Sequence, residues 1–165
     1  MRPGNGVFLS VRPRFSRALF DGSKRVEVRR KALRIGPGTV IAVYETFPTM
    51  ALSGFLLVNG VYHGTPAAVW SDVGRRSLLS RQEYMDYFRG SDHAFAFEVR
   101  EALRLQESMP LRQLRRRCPG FMPPQSFCYL GSLPAALLRL LLEALRKTVS
   151  SSGASGVWAS AMSAG

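Results

Sequence analysis

Lysine is almost missing from this chain of 165 residues: the 23 basic residues include only three lysines. So lopsided a ratio can follow from the nucleotide composition of a genome, so the placement of the arginines carries more meaning than their number. Histidine and cysteine are equally sparse, at two each. His63 and His93 stand alone, without a partner at metal or acid–base spacing, and Cys118 and Cys128 form a C-x9-C pair that is not a zinc pattern. Spacing gives no support for a disulfide, and reduced thiols in a cytoplasm are the default expectation. No N-terminal apolar run has the length of a signal peptide, and no segment reads as a membrane span. Acidic residues are few as well, 11 against the 23 basic ones, which leaves a net charge of +12. That balance favours an anionic partner, most often nucleic acid.

The charge is unevenly spread. Residues 1–34 carry ten Arg or Lys and two acids, a local net of +8, whereas residues 35–74 hold no Lys or Arg at all. Within the basic segment lies D-G-S-K-R-V-E-V-R-R, Asp21 to Arg30. Alternation along a strand sends Val26 and Val28 to one face and Arg25, Glu27 and Arg29 to the other, with Lys24 at the entry. A lysine, a carboxylate and a guanidinium on one rigid element suit a polar pocket floor; the alternative is a solvated edge strand with a surface ion pair of about 0–1 kcal/mol.

Hydrophobic residues make up 46% of the chain, enough for one domain with a real core. Met1 to Gly6 reads as a flexible lead and Val7 to Val11 as a strand. A short helix then opens at Pro13 and is closed by Gly22. Lys31 to Gly38 is a basic loop ending in G-P-G. Thr39 to Phe47 and Met50 to His63 read as strands apolar on both faces, and Gly54 and Gly60 mark bulges or bends of the kind that close small barrels. Pro66 to Gly74 and Ser80 to Arg89 read as helices, the second opened by an S-x-x-E capping box, with Tyr84, Tyr87 and Phe88 as its inward stripe. His93 to Leu105 alternates as a strand. Pro110 to Arg117 is a short basic helix or turn, whose Arg115, Arg116 and Arg117 are either a phosphate-contacting patch or a solvated face. Cys118 to Leu130 is an extended closing segment. Ser132 is expected to cap an amphipathic helix through about Thr148, with Ser150 to Gly165 a disordered tail.

This order of elements, with Gly22, Lys24, Glu27 and Arg29 forming G-x-K-x-x-E-x-R and Pro123 to Phe127 reading P-P-Q-S-F, resembles the ASCH domain family of the PUA-like group over about residues 7–130. The resemblance implies an α+β fold, a small PUA-like β-barrel of five to six strands with short flanking helices; the C-terminal helix at 131–149 and the disordered tail at 150–165 are expected from the residue pattern and lie outside the resemblance. It implies a cleft beside the motif that binds RNA or a nucleotide, in RNA metabolism or in regulating transcription or translation. Lys24, Glu27 and Arg29 would line it, flanked by Arg25 and Arg30, while loops such as Phe47 to Thr49 shape the pocket.

Some members of the family are hydrolases, either ribonucleases or amidohydrolases of acylated nucleosides. In the amidohydrolase branch a threonine nucleophile occupies the position of Glu27 and works with the motif lysine and a downstream glutamate. Glu27 offers no hydroxyl, and Ser23 lies in the turn, so recognition is expected ahead of chemistry. Were the chain an enzyme, Lys24 and Glu27 would be the candidates. Nothing in the sequence calls for a cofactor or a metal. The expected partners are RNA or a nucleotide but no membrane, with a dimer or partner protein on the 133–148 helix as a further alternative.

Overall fold

A computed structural model of the chain describes residues 6–154 and 156–163; of the flexible lead expected at Met1 to Gly6, residues 1–5 lie outside the described residues, as do the last residues of the tail, while Gly6 is buried and its carbonyl accepts from the Leu130 amide at 2.8 Å. Six strands form one sheet in the order β2-β5-β4-β3-β1-β6, where β1 is Val7–Val11, β2 Val26–Arg29, β3 Val40–Glu45, β4 Ala51–Gly64, β5 Ala94–Pro110 and β6 Phe127–Tyr129. All neighbours are antiparallel except β1 and β3, which are joined through a helical crossover. Long β4 and β5 run side by side, and their register slips at Leu52/Gly54, Leu57/Val58 and Val58/Gly60. Extra residues at such points sharpen twist and bend the strand, which curls the sheet into a half-barrel flanked by helices, the α+β architecture expected of the family. Gly54 is required at its bulge: a Cβ there would lie 2.2 Å from the Leu103 carbonyl oxygen and 2.7 Å from the Phe20 ring.

The two apolar faces of β1 and β3 feed two separate cores. Phe8, Val40, Ala42 and Tyr44 pack against α4 (Leu111–Arg117), α5 (Ala135–Ser152) and α6 (Gly156–Ser163), whereas Val7, Leu9, Val11, Ile41 and Val43 face α1 (Pro13–Asp21) together with Phe95 and Phe97 of β5. A third cluster joins Val26 and Val28 to α2 (Pro66–Val73) and α3 (Arg81–Tyr87). The alternation read in β2 is therefore present: its valines leave one face free for Glu27 and Arg29. The capping box at Ser80 and Glu83 is formed in both directions. Of the aromatic stripe on α3, Tyr84 and Phe88 are buried, but Tyr87 stays exposed, edge-on to the Phe88 ring.

Two expectations for the C-terminal region need correction. Ser132 does not cap the helix; its hydroxyl donates to the Tyr129 carbonyl inside a 3₁₀ turn, and α5 begins at Ala135 behind Pro134. The helix also continues past Thr148, whose hydroxyl donates back to Ala144, and stops where Gly153 turns left-handed. In the region expected to be disordered, α6 folds back and buries Trp158 completely against the first core. The indole, with Val157 and Ala161 packed beside it, anchors the short helix to that core. Leu137, Leu141 and Leu145, one turn apart, are buried on the domain, so packing on the barrel accounts for the apolar face of α5.

Candidate functional site

Gly22, left-handed at φ 81°, stops α1 as expected, and the chain re-enters the sheet with Lys24 pointing inward. The Lys24 Nζ lies 3.2 Å from Glu27 Oε2 and donates a short hydrogen bond to the Ser77 carbonyl. The Arg29 Nη2 lies 2.9 Å from Glu27 Oε1 and 2.9 Å from the Ser10 carbonyl oxygen. These three side chains converge, and they are far from solvent: 1%, 8% and 12% exposed for Lys24, Glu27 and Arg29. The arrangement is thus no surface ion pair. Because β2 and β1 sit at distant positions in the sheet order, the Arg29–Ser10 bond is a strap across the mouth of the half-barrel. Burial pushes the Lys24 ammonium below the ordinary lysine range; Glu27 pulls it back up, and Arg29 and Arg14 add to the depression. The Nε of Arg29 is buried with no hydrogen-bond partner among the described residues.

Arg25 and Arg30 do not join this cluster. Arg25 is exposed, its main chain pinned between the Arg76 carbonyl and the Val99 amide. Arg30 is exposed and reaches the Arg89 carbonyl. Lys24 and Arg25 both border a shallow depression of about 230 Å³ with Phe20 and Arg100. Ser23, which precedes the motif lysine in sequence, is turned away into bonds with Asp21 Oδ1 and the Ala18 carbonyl. Of the distal arginines, Arg115 donates through Nε to the Phe121 carbonyl, while Arg116 and Arg117 are exposed.

A second polar pair lies on the same face and was not singled out from sequence. Glu45, at the end of β3, is buried and accepts a 3.0 Å hydrogen bond from the hydroxyl of Ser16, itself fully buried on α1. The preceding residue on that helix, Phe15, lies under the Lys24 ammonium, 5.0 Å from Nζ to ring centroid. One turn of α1 therefore touches both polar groups. The positive N-terminal end of the helix dipole favours a carboxylate nearby. The readable signal was a carboxylate in phase with Ile41 and Val43, on the core face of an apolar strand. The P-P-Q-S-F segment runs beside β1: Ser10 donates its amide to the Ser126 carbonyl at 2.9 Å and its hydroxyl to the Pro124 carbonyl at 2.6 Å.

A curled mixed sheet, a helix between its first two strands and a buried Lys–Glu–Arg cluster entered from a glycine turn define a PUA-like domain. Comparison with known proteins gives the family. The chain is 34% identical over 122 residues to an ASCH domain-containing ribonuclease of Zymomonas mobilis, covering 74% of this chain and 82% of that protein. The crystal structure of ASCH from Zymomonas mobilis superposes with a TM-score of 0.73 at 30% identity, over 84% of this chain and 94% of the other. A serine-to-alanine variant of that protein gives 0.74 at 29% identity. The chain belongs to the ASCH domain family. It is also 25% identical over 107 residues to large ribosomal subunit protein uL22 of Ureaplasma parvum, of which it spans about a third, 34%. No family model matches the chain. No helix among the described residues is long and apolar enough to cross a membrane.

Proposed function

We propose that this ASCH domain binds RNA on the face that carries Arg29, Glu27 and Glu45, and that it acts in RNA metabolism. The observation that carries the reading is a set of exposed arginines on α1 with its N-cap and at the two ends of β2, Arg12, Arg14, Arg17, Arg25 and Arg30, on the elements that carry or flank a buried Lys24–Glu27–Arg29 cluster. Exposed arginines supply sequence-independent attraction to phosphates, which weakens with salt. A fixed guanidinium can hold a phosphate or base carbonyl, and a fixed carboxylate can accept from a base amino group. Lys24 holds the carboxylate in place from below. Arg115, Arg116 and Arg117 add a second strip of phosphate contacts at the end of β3.

Ribonuclease activity is the second reading, and it is favoured by the name of the 34% identical relative. Cleavage through the RNA 2′-hydroxyl needs one group to take that proton and another to give one to the departing 5′-oxygen. Glu27 and Lys24 are candidates for these roles, as is Glu45 for the first. Amidohydrolysis by a motif hydroxyl has less support, since Ser23 is engaged elsewhere. The test is titration of single-stranded and structured RNA at two salt concentrations, alongside incubation of labelled RNA and of acylated nucleosides. RNA binding that weakens with salt and with Arg29→Ala supports the reading; absence of binding at low salt refutes it. RNA fragments that disappear in Glu27→Gln or Glu45→Gln would add catalysis, and intact RNA would leave binding alone.

A further inference from the structure

Phenylalanine is seldom left in water, yet Phe47 is 80% exposed. Its backbone is nevertheless held firmly. The Thr46 amide donates to the Val11 carbonyl at 2.9 Å, and the amides of Thr49 and Met50 both return to the Thr46 carbonyl, at 3.1 and 3.2 Å. The turn is also joined to α4, because the Leu111 amide donates to the Met50 carbonyl at 2.9 Å. Helix α4 carries Arg112, Arg115, Arg116 and Arg117, and Arg115 is anchored at 3.0 Å to the Phe121 carbonyl. The Phe121 ring meets Phe8 edge-on, and Phe8 stacks on Tyr44, three residues before Phe47. Met122, next after Phe121, is 78% exposed. An aromatic ring, a methionine and a row of arginines thus gather at one end of the half-barrel, the end that also holds the Glu45–Ser16 pair.

We infer that Phe47 is a stacking platform for an unpaired nucleobase, with the α4 arginines holding the adjoining phosphates. The inference deepens the RNA reading above and rests on it. The physical case is complementarity: the surface offers a flat apolar ring on a pre-ordered turn beside cations, and a single-stranded nucleotide offers a flat face joined to an anionic backbone. A purely apolar partner would leave the arginines desolvated and unpaired. An acidic peptide would satisfy the arginines and leave the ring without a face to stack on.

The test measures fluorescence anisotropy with two labelled probes of equal length, a short oligoadenylate and an abasic ribose–phosphate oligomer. Phe47→Ala is expected to weaken oligoadenylate binding about tenfold, within the range of one lost base stack, and to leave the abasic probe unchanged. Phe47→Trp should retain affinity, with its added fluorescence quenched by oligoadenylate. Replacing Arg115, Arg116 and Arg117 together with Ala should weaken both probes. If the wild-type chain binds oligoadenylate and Phe47→Ala binds it equally well, or weakens on both probes alike, the platform is overturned while the RNA reading stands. Failure of the wild-type chain to bind either probe at low salt overturns both, and so does preferential binding of polyglutamate.

Discussion

Replacing Glu27 with Gln keeps the side-chain volume and removes one charge from a site where Lys24 is 1% exposed and Arg29 12% exposed. The wild-type carboxylate receives Nζ at 3.2 Å on one oxygen and Nη2 at 2.9 Å on the other. An amide can accept from one cation only by turning its NH₂ toward the second. Two buried positive charges then face each other without an anion. Breaking a buried ion pair from one side costs about 3–5 kcal/mol, a large part of the roughly 5–15 kcal/mol that holds a domain folded. At about 2–4 °C per kcal/mol for a chain of this size, the midpoint of thermal unfolding should fall by about 6–20 °C. Urea unfolding followed by circular dichroism measures the same loss independently. The control is the variant carrying Lys24→Met, Glu27→Leu and Arg29→Met together, which should stay within about 2 kcal/mol of wild type because it removes the charges as a set. A Glu27→Gln penalty below about 1 kcal/mol would match a solvated pair and refute the account of a buried clamp. The triple variant has a second use: folded but unable to bind RNA, it would assign the cluster to recognition as well as to stability.

Gly54→Ala should destabilise by about 2–3 kcal/mol through overpacking at the bulge, where a Cβ meets Leu103 and Phe20, as read by urea midpoint. Trp158→Ala should cost about 3–5 kcal/mol, as expected for removing a fully buried indole, and hydrogen exchange in Gly156–Ser163 should rise to that of free peptide. Burial raises the Tyr84 hydroxyl to about 12, above its ordinary value of 10, so between those values the folded chain holds a proton that the unfolded chain has released. Stability from this group is complete below pH 10 and declines as pH rises toward 12. Tyr84→Phe, which also loses the bond to the Pro66 carbonyl, should therefore be less stable than wild type at pH 9 and lose that disadvantage by pH 12. Ser80→Ala should cost about 1 kcal/mol by removing the acceptor of the capping box on α3.

The parts of this structure legible in the sequence are those fixed by short-range rules. Period-two alternation assigns Val26 and Val28 to one face and Glu27 and Arg29 to the other, and the S-x-x-E spacing marks the start of α3. Gly54 and Gly60 flag bends because glycine inside an apolar strand needs a reason, and both fall at register shifts. What was not legible depends on residues far apart in sequence. The depth of Lys24 comes from the Ser77 carbonyl, 53 positions away, delivered by the turn after α2. Arg25 and Arg30 share the motif's composition, yet β5 pairing and the chain's exit from β2 leave both in solvent. Glu45 looks like the frayed end of a strand until α1 supplies Ser16. Trp158 sits among serines, alanines and glycines that signal disorder locally, and only its fit to the first core orders them. Family resemblance added the function class, which no spacing rule in the chain carries.

The most direct test of the central claim is photo-crosslinking of the intact chain to thiouridine-bearing single-stranded RNA at low salt, with the linked peptides identified by mass spectrometry. Crosslinks are expected in the peptides bearing Arg12 to Phe15, Glu45 to Phe47 and Met122 to Ser126, falling away as salt is raised. Crosslinks confined to the outer side of α5, or none at low salt, would contradict it.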